Sequence, residues 1–530
     1  MKNKTDFKKK NTFLSRMTIW AASVPFLFSF FACAEKEPID WDEVDPSINP
    51  PYTMDRDDDE DAGTGSEETG PTFPFFENAP LSFPGGEGYG RNATGARTTK
   101  TREVYRVTNL NDSGEGSFRD AVSKPNRFVV INVDGIVECS GSVISLAENL
   151  TILGQTAPGD GIVLYGGAVS ASGADNTIVR YMRFRMGPKN FSEGSKDALG
   201  VANGENMIFD HCSITWGRDE CFSISGDGKG TPPRNITIQN SIVGQGLQNH
   251  SCGGLLQTSK NEGVTVFRCL YIDSKTRNPK VKGLNQFVNN VVYNWGNGAA
   301  YNMSGDSSGE SETTIEDNYF IVGPGYNWLN TQQPDGSLAY ELGVVNPTKP
   351  FIEGNELFRT YLNGNMYDNN KNGILDGHLL QREEWSGEPT ILDTPSALHP
   401  HIYSQTNATE AYNYIVSHVG ASLPARDQVD AFLIDEVTSL GTKGTIIGKP
   451  ADTKQFPIGG CGTFKTGTLP LDTDGDGMPD EFEDKWGLDK NNPKDAVKEA
   501  ANGYTNIENY ALSLEYPEEY EKAWKESNNK

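Results

Sequence analysis

Apolar and polar residues alternate in short runs through the middle of this 530-residue chain. The runs are NLTILG from 149, NTIVRYMRFR from 176, NMIFDHCSIT from 206, NITIQNSIV from 235, VTVFRCLYI from 264, NQFVNNVVYNW from 285, TTIEDNYFI from 313 and FIEGNELF from 351. Alternation of this kind predicts half-buried strands, because successive side chains on a strand point to opposite faces. The runs recur at intervals of roughly 20 to 40 residues, the period of stacked units that cannot bury their apolar face alone. This predicts an all-β fold, a right-handed parallel β-helix. A sandwich would show closer, hairpin-linked spacing. Polar residues such as His211, Asn240 and Asn290 recur two places after an apolar landmark. We read them as a turn ladder that satisfies backbone groups, with no catalytic part.

Composition agrees with strands and turns: glycine is plentiful, at 57 residues. Charge changes the picture more. With 46 Lys and Arg against 72 Asp and Glu, the net charge is -26, which argues against nucleic acid and against broad anionic surfaces as partners. Yet RNPKVKG places Arg277, Lys280 and Lys282 close together. An anionic ligand must therefore meet a local basic site or a bridging metal.

Lys8, Lys9, Lys10 and Arg16 precede the apolar run IWAASVPFLFSFFA, which is too short for a comfortable membrane span and is followed by Cys33. This looks like a bacterial lipoprotein signal, with cleavage before Cys33 and lipid on its sulfur. A plain secretory signal or a signal anchor is the alternative. Residues 34–78 are acidic, rich in Pro and Gly and poor in aliphatics, a composition that does not order itself; they read as a tether. The protein is expected to be exported and lipid-anchored to the cell envelope, or secreted, and to act as a monomer that meets the membrane only through its anchor. Cys139, Cys212, Cys221, Cys252, Cys269 and Cys461 show no CxxC metal spacing, and we read them as buried thiols.

Near the C-terminus, DTDGDGMPDEFE sets Asp472, Asp474 and Asp476 at alternate positions, then Gly477, Asp480 and Glu483. That is the spacing of an EF-hand-type calcium loop. It resembles the thrombospondin-type-3 and dockerin-like loops of secreted glycan enzymes, and we read it as a structural clip within a helical segment, 451–530. DNNKNGILD, from Asp368 to Asp376, has similar oxygen spacing without the final Glu; we read it as a surface turn.

Across residues 195–295 run SKDALGVANGENMIFDHCSITWGRDE, NSIVGQGLQNHSCGGLLQ and SKTRNPKVKGLNQFVNNVVYNW. The order is an Asp before a strand, a DHCS on the strand, an acidic residue shortly after, and an Arg-x-Pro-basic-x-basic-Gly segment followed by NN. This resembles polysaccharide lyase family one, the pectate lyases. FPGGEGYGRNATGAR at 83–97, VTNLNDSGEGSFRDAV and NATEAYNYIVSHVGASLPARDQVD at 407–430 resemble the Bacteroidetes-type members. The lyase domain is set at 79–450.

The resemblance implies calcium-dependent cleavage of polygalacturonate, an acidic polysaccharide, by β-elimination. Removing a proton beside a uronate carboxylate builds negative charge there, so cations must be waiting. Asp197 and Asp219 match calcium ligands of the family. A second family carboxylate falls on Ser223, and Glu220 is the candidate replacement. Ser195 stands where some members carry another Asp. Arg277 matches the catalytic arginine, and Lys282 matches a basic residue that binds the substrate carboxylate, with Lys280 beside it. Arginine is a poor base, and Lys280, Lys282 and bound calcium are expected to lower its pKa. A further family lysine has no counterpart; His250 stands there, as a substrate-binding or a structural residue. Asp210 and His211 are read as structural. The rival readings are a galacturonan hydrolase with paired carboxylates and a non-catalytic glycan binder. Against the hydrolase, Asp219 and Glu220 are neighbours that would point opposite ways on a strand.

Overall fold

The computed structural model describes residues 70–528, apart from 78, 189–195, 248–249, 261, 297–299, 304–309, 333, 336–337, 345–348 and 448–457. Three sheets of eleven, ten and eight strands run along the molecule, and the chain visits them in turn. All pairings within them are parallel except that of Met366–Asp368 with His378–Leu379. This is the parallel β-helix that the repeating runs predicted.

The runs themselves fold differently from the single strands predicted. NMIFDHCSIT is two strands, Glu205–Asp210 in the eleven-stranded sheet and Ser213–Thr215 in the ten-stranded one. The same break divides NTIVRYMRFR, NITIQNSIV, VTVFRCLYI and TTIEDNYFI. At each break one residue takes a left-handed backbone: Tyr181 (φ 56°), His211 (49°), Asn240 (49°), Arg268 (50°), Asn289 (56°) and Asp317 (51°). The polar residue after the apolar landmark is therefore the corner of the coil, and asparagine suits it because it tolerates this conformation. Inside the next corner, Asn290 Nδ2 donates to Val266 O (3.0 Å), and its Oδ1 accepts the Cys269 N–H (2.8 Å). Asn318 and Asn365 extend the ladder.

Aliphatic and aromatic side chains fill the interior of the coil. Two of the three outer faces are also apolar, and each is covered. Against the ten-stranded sheet, Ile242, Leu270, Ile272 and Val291 pack on helices α1 (Ala408–His418) and α2 (Gln428–Thr438). Against the eleven-stranded sheet, Phe128, Val130, Ile178 and Ile208 pack on the C-terminal segment, with helices α3 (Asp480–Trp486), α4 (Asn506–Glu515) and α5 (Pro517–Asn528). The outward positions of the eight-stranded sheet instead include Ser170, Gly200, Ser223, Ser225, Gln257, Lys280 and Lys282, in register from coil to coil. A polar ligand has this face to bind. All six described cysteines are buried thiols.

Helix α2 docks partly through a buried acid pair. Asp273 and Glu436 are buried, and Asp273 Oδ2 and Glu436 Oε2 have no donor of their own. Burial pushes Asp273 up to about 6, and burial with the charge of Asp273 pushes Glu436 well above its ordinary value. One proton shared between the two carboxyl groups would satisfy both oxygens. Both pKa values are raised, so the stability that protonation gives is complete below the ordinary carboxylate range and is lost as pH rises, first through about 6 for Asp273 and then through the higher pKa of Glu436. Glu436→Gln supplies a permanent N–H donor. Its melting temperature should therefore gain on wild type by a few degrees between pH 5 and 8 in scanning calorimetry, and parallel profiles would refute the shared proton.

Candidate active site

The site occupies one corner of four successive coils, where the chain enters the eight-stranded sheet. Asp197 lies just before Leu199–Val201, Asp219 just before Glu220–Ser225, His250 just before Cys252–Gln257, and Arg277 just before Lys280–Lys282. Parallel register stacks these entrances: Glu220 is opposite Cys252, and Cys252 bridges to Thr276. Adjacent coils lie about 4.8 Å apart, so residues as distant in sequence as Glu220 and Arg277 come within side-chain reach. These four strands carry the site, yet none was among the predicted runs; ECFSIS and CGGLLQ were the available signals.

Carboxylate oxygens of Asp197, Asp219 and Glu220 lie within 4.8 Å of one another. Asp219 sits in the bend before the strand, so the expectation that it points away from Glu220 does not hold: strand alternation does not bind a residue outside the strand. Asp197 is held in place. The Glu220 N–H donates to its Oδ1 (3.0 Å) and the Ser223 hydroxyl to its Oδ2. Where the family places a second carboxylate, Ser223 thus orients Asp197 without adding charge. Burial raises the Asp197 pKa despite these donors. Burial, then the charges of Asp219 and Asp197, push Glu220 up to about 8. Three converging acids, with nothing but oxygen donors, suit a hard divalent cation.

Arg277 takes a left-handed backbone (φ 57°), and its guanidinium reaches back across two coils to Glu220 Oε1. The expected lowering of its pKa is not what this arrangement gives. Burial lowers it, but Cys252 and the Glu220 carboxylate outweigh burial and the net direction is upward. The pairing with Glu220 was not legible in the sequence, because it depends on register. Lys280 and Lys282 flank buried Val281 and share the outer face, beside Leu255 and Gln257 of the preceding coil. His250 Nδ1 contacts Asp219 Oδ1, and its side chain is half exposed.

Asp210 and His211 lie elsewhere, on the face covered by the C-terminal segment. Arg180 donates to Asp210 (2.9 and 2.8 Å) and to Glu515 of α4 (2.8 Å), while His211 stacks on Tyr181. They seat a helix, away from the cation cluster. In the 368–376 turn, the Asn370 and Asn372 side-chain amides donate to Asp376 (2.7 and 3.0 Å). In the C-terminal loop, Asp472, Asp474 and Asp476 converge, and Glu483 joins Asp476. Asp480 does not: its oxygens accept the Thr473 N–H and hydroxyl (both 2.7 Å). Asp495, which the spacing did not single out, takes the free side of the cluster. Ser195 and Cys33 lie outside the described residues.

No family model matches the chain. Among curated proteins it is similar to probable pectate lyase C of Aspergillus flavus, with 48% identity over 439 residues, 83% of this chain and 95% of that one. The counterpart from Emericella nidulans is 46% identical over 441 residues, 83% of this chain and 94% of that one. A solved thermostable pectate lyase, PL 47, is 14% identical with a TM-score of 0.43, covering 63% of this chain and 97% of that one, too distant a likeness to add to the assignment. Identity approaching one residue in two, sustained over nearly the full length of the fungal proteins, is what places this chain in the pectate lyase family.

Proposed function

We propose that the protein cleaves polygalacturonate by β-elimination, with calcium between the enzyme and the uronate carboxylates. The observation that carries this reading is the meeting of Asp197, Asp219 and Glu220 with Arg277, at the edge of the one polar face, next to Lys280 and Lys282. Asp197, Asp219 and Glu220 are the residues that would hold the ion. A calcium ion held there would neutralise the acid cluster, whose Glu220 charge raises the Arg277 pKa, and would supply positive charge for a uronate carboxylate. Lys280 and Lys282 bind the carboxylate of the sugar ring. Arg277, in the deprotonated form of its guanidine, takes the C5 proton; the electron pair left behind forms the C4–C5 double bond and expels the glycosidic oxygen, which departs with a proton from water. His250 hydrogen-bonds through Asp219 at the rim and orients that carboxylate.

The test is digestion of polygalacturonate with added calcium and with chelator, followed by ultraviolet absorbance. Absorbance from unsaturated ends that disappears on chelation supports the reading. Reducing ends without absorbance would identify a hydrolase, neither signal a binder, and full activity in excess chelator would remove calcium from the mechanism.

We also infer export, with lipid on Cys33 as the anchor. The basic residues, the apolar run and Ala32 before Cys33 support this, and no helix among the described residues is long and apolar enough to cross a membrane. Cys33→Ala should move the protein from the membrane fraction to the soluble one, since stable attachment depends on the acyl chains. Unchanged membrane association would point to a retained signal anchor.

A further inference from the structure

We propose that Asp474, Asp476, Glu483 and Asp495, with Asp472 at their edge, form a second calcium site, which locks the C-terminal segment onto the eleven-stranded sheet and takes no part in binding the substrate. The acids form two overlapping groups, Asp472 with Asp474 and Asp476, and Asp476 with Glu483 and Asp495. Asp476, Glu483 and Asp495 are 3%, 0% and 4% exposed.

Both oxygens of Asp472 accept backbone N–H groups, from Gly475 (2.8 Å) and Gly477 (3.1 Å); the hydrogen bonds divide the oxygens of the other acids in two. One oxygen from each of three acids shapes the chain: Asp474 Oδ1 accepts the Asp476 N–H (3.2 Å), Asp476 Oδ1 the Met478 N–H (2.9 Å) and Asp495 Oδ2 the Asp489 N–H (3.0 Å). The other oxygen of each, and both oxygens of Glu483, are buried without any donor. A buried carboxylate oxygen with no partner is costly, and a cation seated among these five would satisfy them together. An all-oxygen donor set rich in carboxylates, gathered from a flexible number of ligands, fits calcium.

What the ion would hold is equally visible. Asp472 pairs with Arg106 of strand Glu103–Val107 (3.2 Å), and a Cβ at Gly477 would meet Val130 and Val104 at 3.1 and 3.3 Å. Met478 is buried among Phe128 and Val130. Glu483 lies on α3, whose Phe482 and Trp486 pack on Phe73. The Asp495 carbonyl accepts the Asn506 side-chain amide at the start of α4 (2.8 Å). That helix carries Glu508 to Arg97 and Glu515 to Arg180. One ion thus joins the loop, α3 and the approach to α4, all on the face opposite in role to the substrate face.

The test uses the full chain with Asp219→Asn as background, so that the ion beside Arg277 is not counted. Calcium chloride is titrated calorimetrically, and melting temperature and trypsin cleavage within 471–528 are followed with and without chelator. One ion per chain, a calcium-dependent rise in melting temperature and calcium-dependent protection of the segment are expected. Asp495→Asn and, separately, Glu483→Gln should weaken that affinity at least about 100-fold, whereas Asp480→Asn should leave it within a few-fold. A melting temperature and trypsin pattern indifferent to chelation would overturn the proposal even if both variants failed to fold. So would an Asp480→Asn loss equal to that of Asp495→Asn, which would return the site to simple loop spacing. Because none of these readings involves pectate, they stand or fall apart from the lyase activity.

Discussion

Arg277→Lys should lower turnover on polygalacturonate by about 100- to 10,000-fold, the range in which a positioned base contributes, while the polymer still binds. Lysine keeps the positive charge but loses the planar fork, so it cannot both face Glu220 across two coils and present a nitrogen to the C5 proton. Lys282→Ala supplies the contrast. Its carboxylate partner is present in ground and transition states alike, so its loss should raise KM several-fold with a smaller effect on kcat. Both residues sit at the entrance to and within the same three-residue strand, Lys280–Lys282, so a general distortion of that strand would give both variants the same signature. Steady-state kinetics at saturating calcium separates them. Near-normal turnover in Arg277→Lys would move the base elsewhere, with His250 the next residue to test.

Asp430→Ala should cost about 3–5 kcal/mol of stability, the penalty for stranding a buried charge. Arg183 and Arg185 are both fully buried on the outer side of the ten-stranded sheet. Asp430 Oδ1 pairs with Arg185 (2.8 Å), and its Oδ2 accepts the Ser213 hydroxyl; Asp427 holds Arg185 (2.9 Å) and Arg183 (3.4 Å). Without Asp430, two guanidinium groups share one carboxylate where water does not reach. Urea unfolding followed by fluorescence measures the loss. A change below about 1 kcal/mol would mean that α2 is held by Leu433, Val429 and Val437 against the sheet, with the ion pairs contributing little, as buried pairs sometimes do.

The sequence by itself determined what is local or repeats at a fixed interval. Alternating runs announced the coils, because a strand exposes its two faces within a few residues. Asp197, Asp219, Glu220 and Arg277 were legible because their motifs run in order along the chain, and Asp472, Asp474 and Asp476 because one short loop gathers them. Tertiary structure decided everything that joins one coil to another or the chain's end to its middle. Each run broke in two at a left-handed corner, since the coil must turn there. Arg277 met Glu220 because register stacks the strand entrances. Asp495 joined Asp476 and Glu483 because the segment leading to α4 carries it back to the loop, while the Thr473 amide and hydroxyl hold Asp480. The eight-stranded sheet kept a polar outer face while helices cover the apolar outer faces of the other two. Such contacts link residues tens to hundreds of positions apart, and no pattern within a run encodes the distance between them.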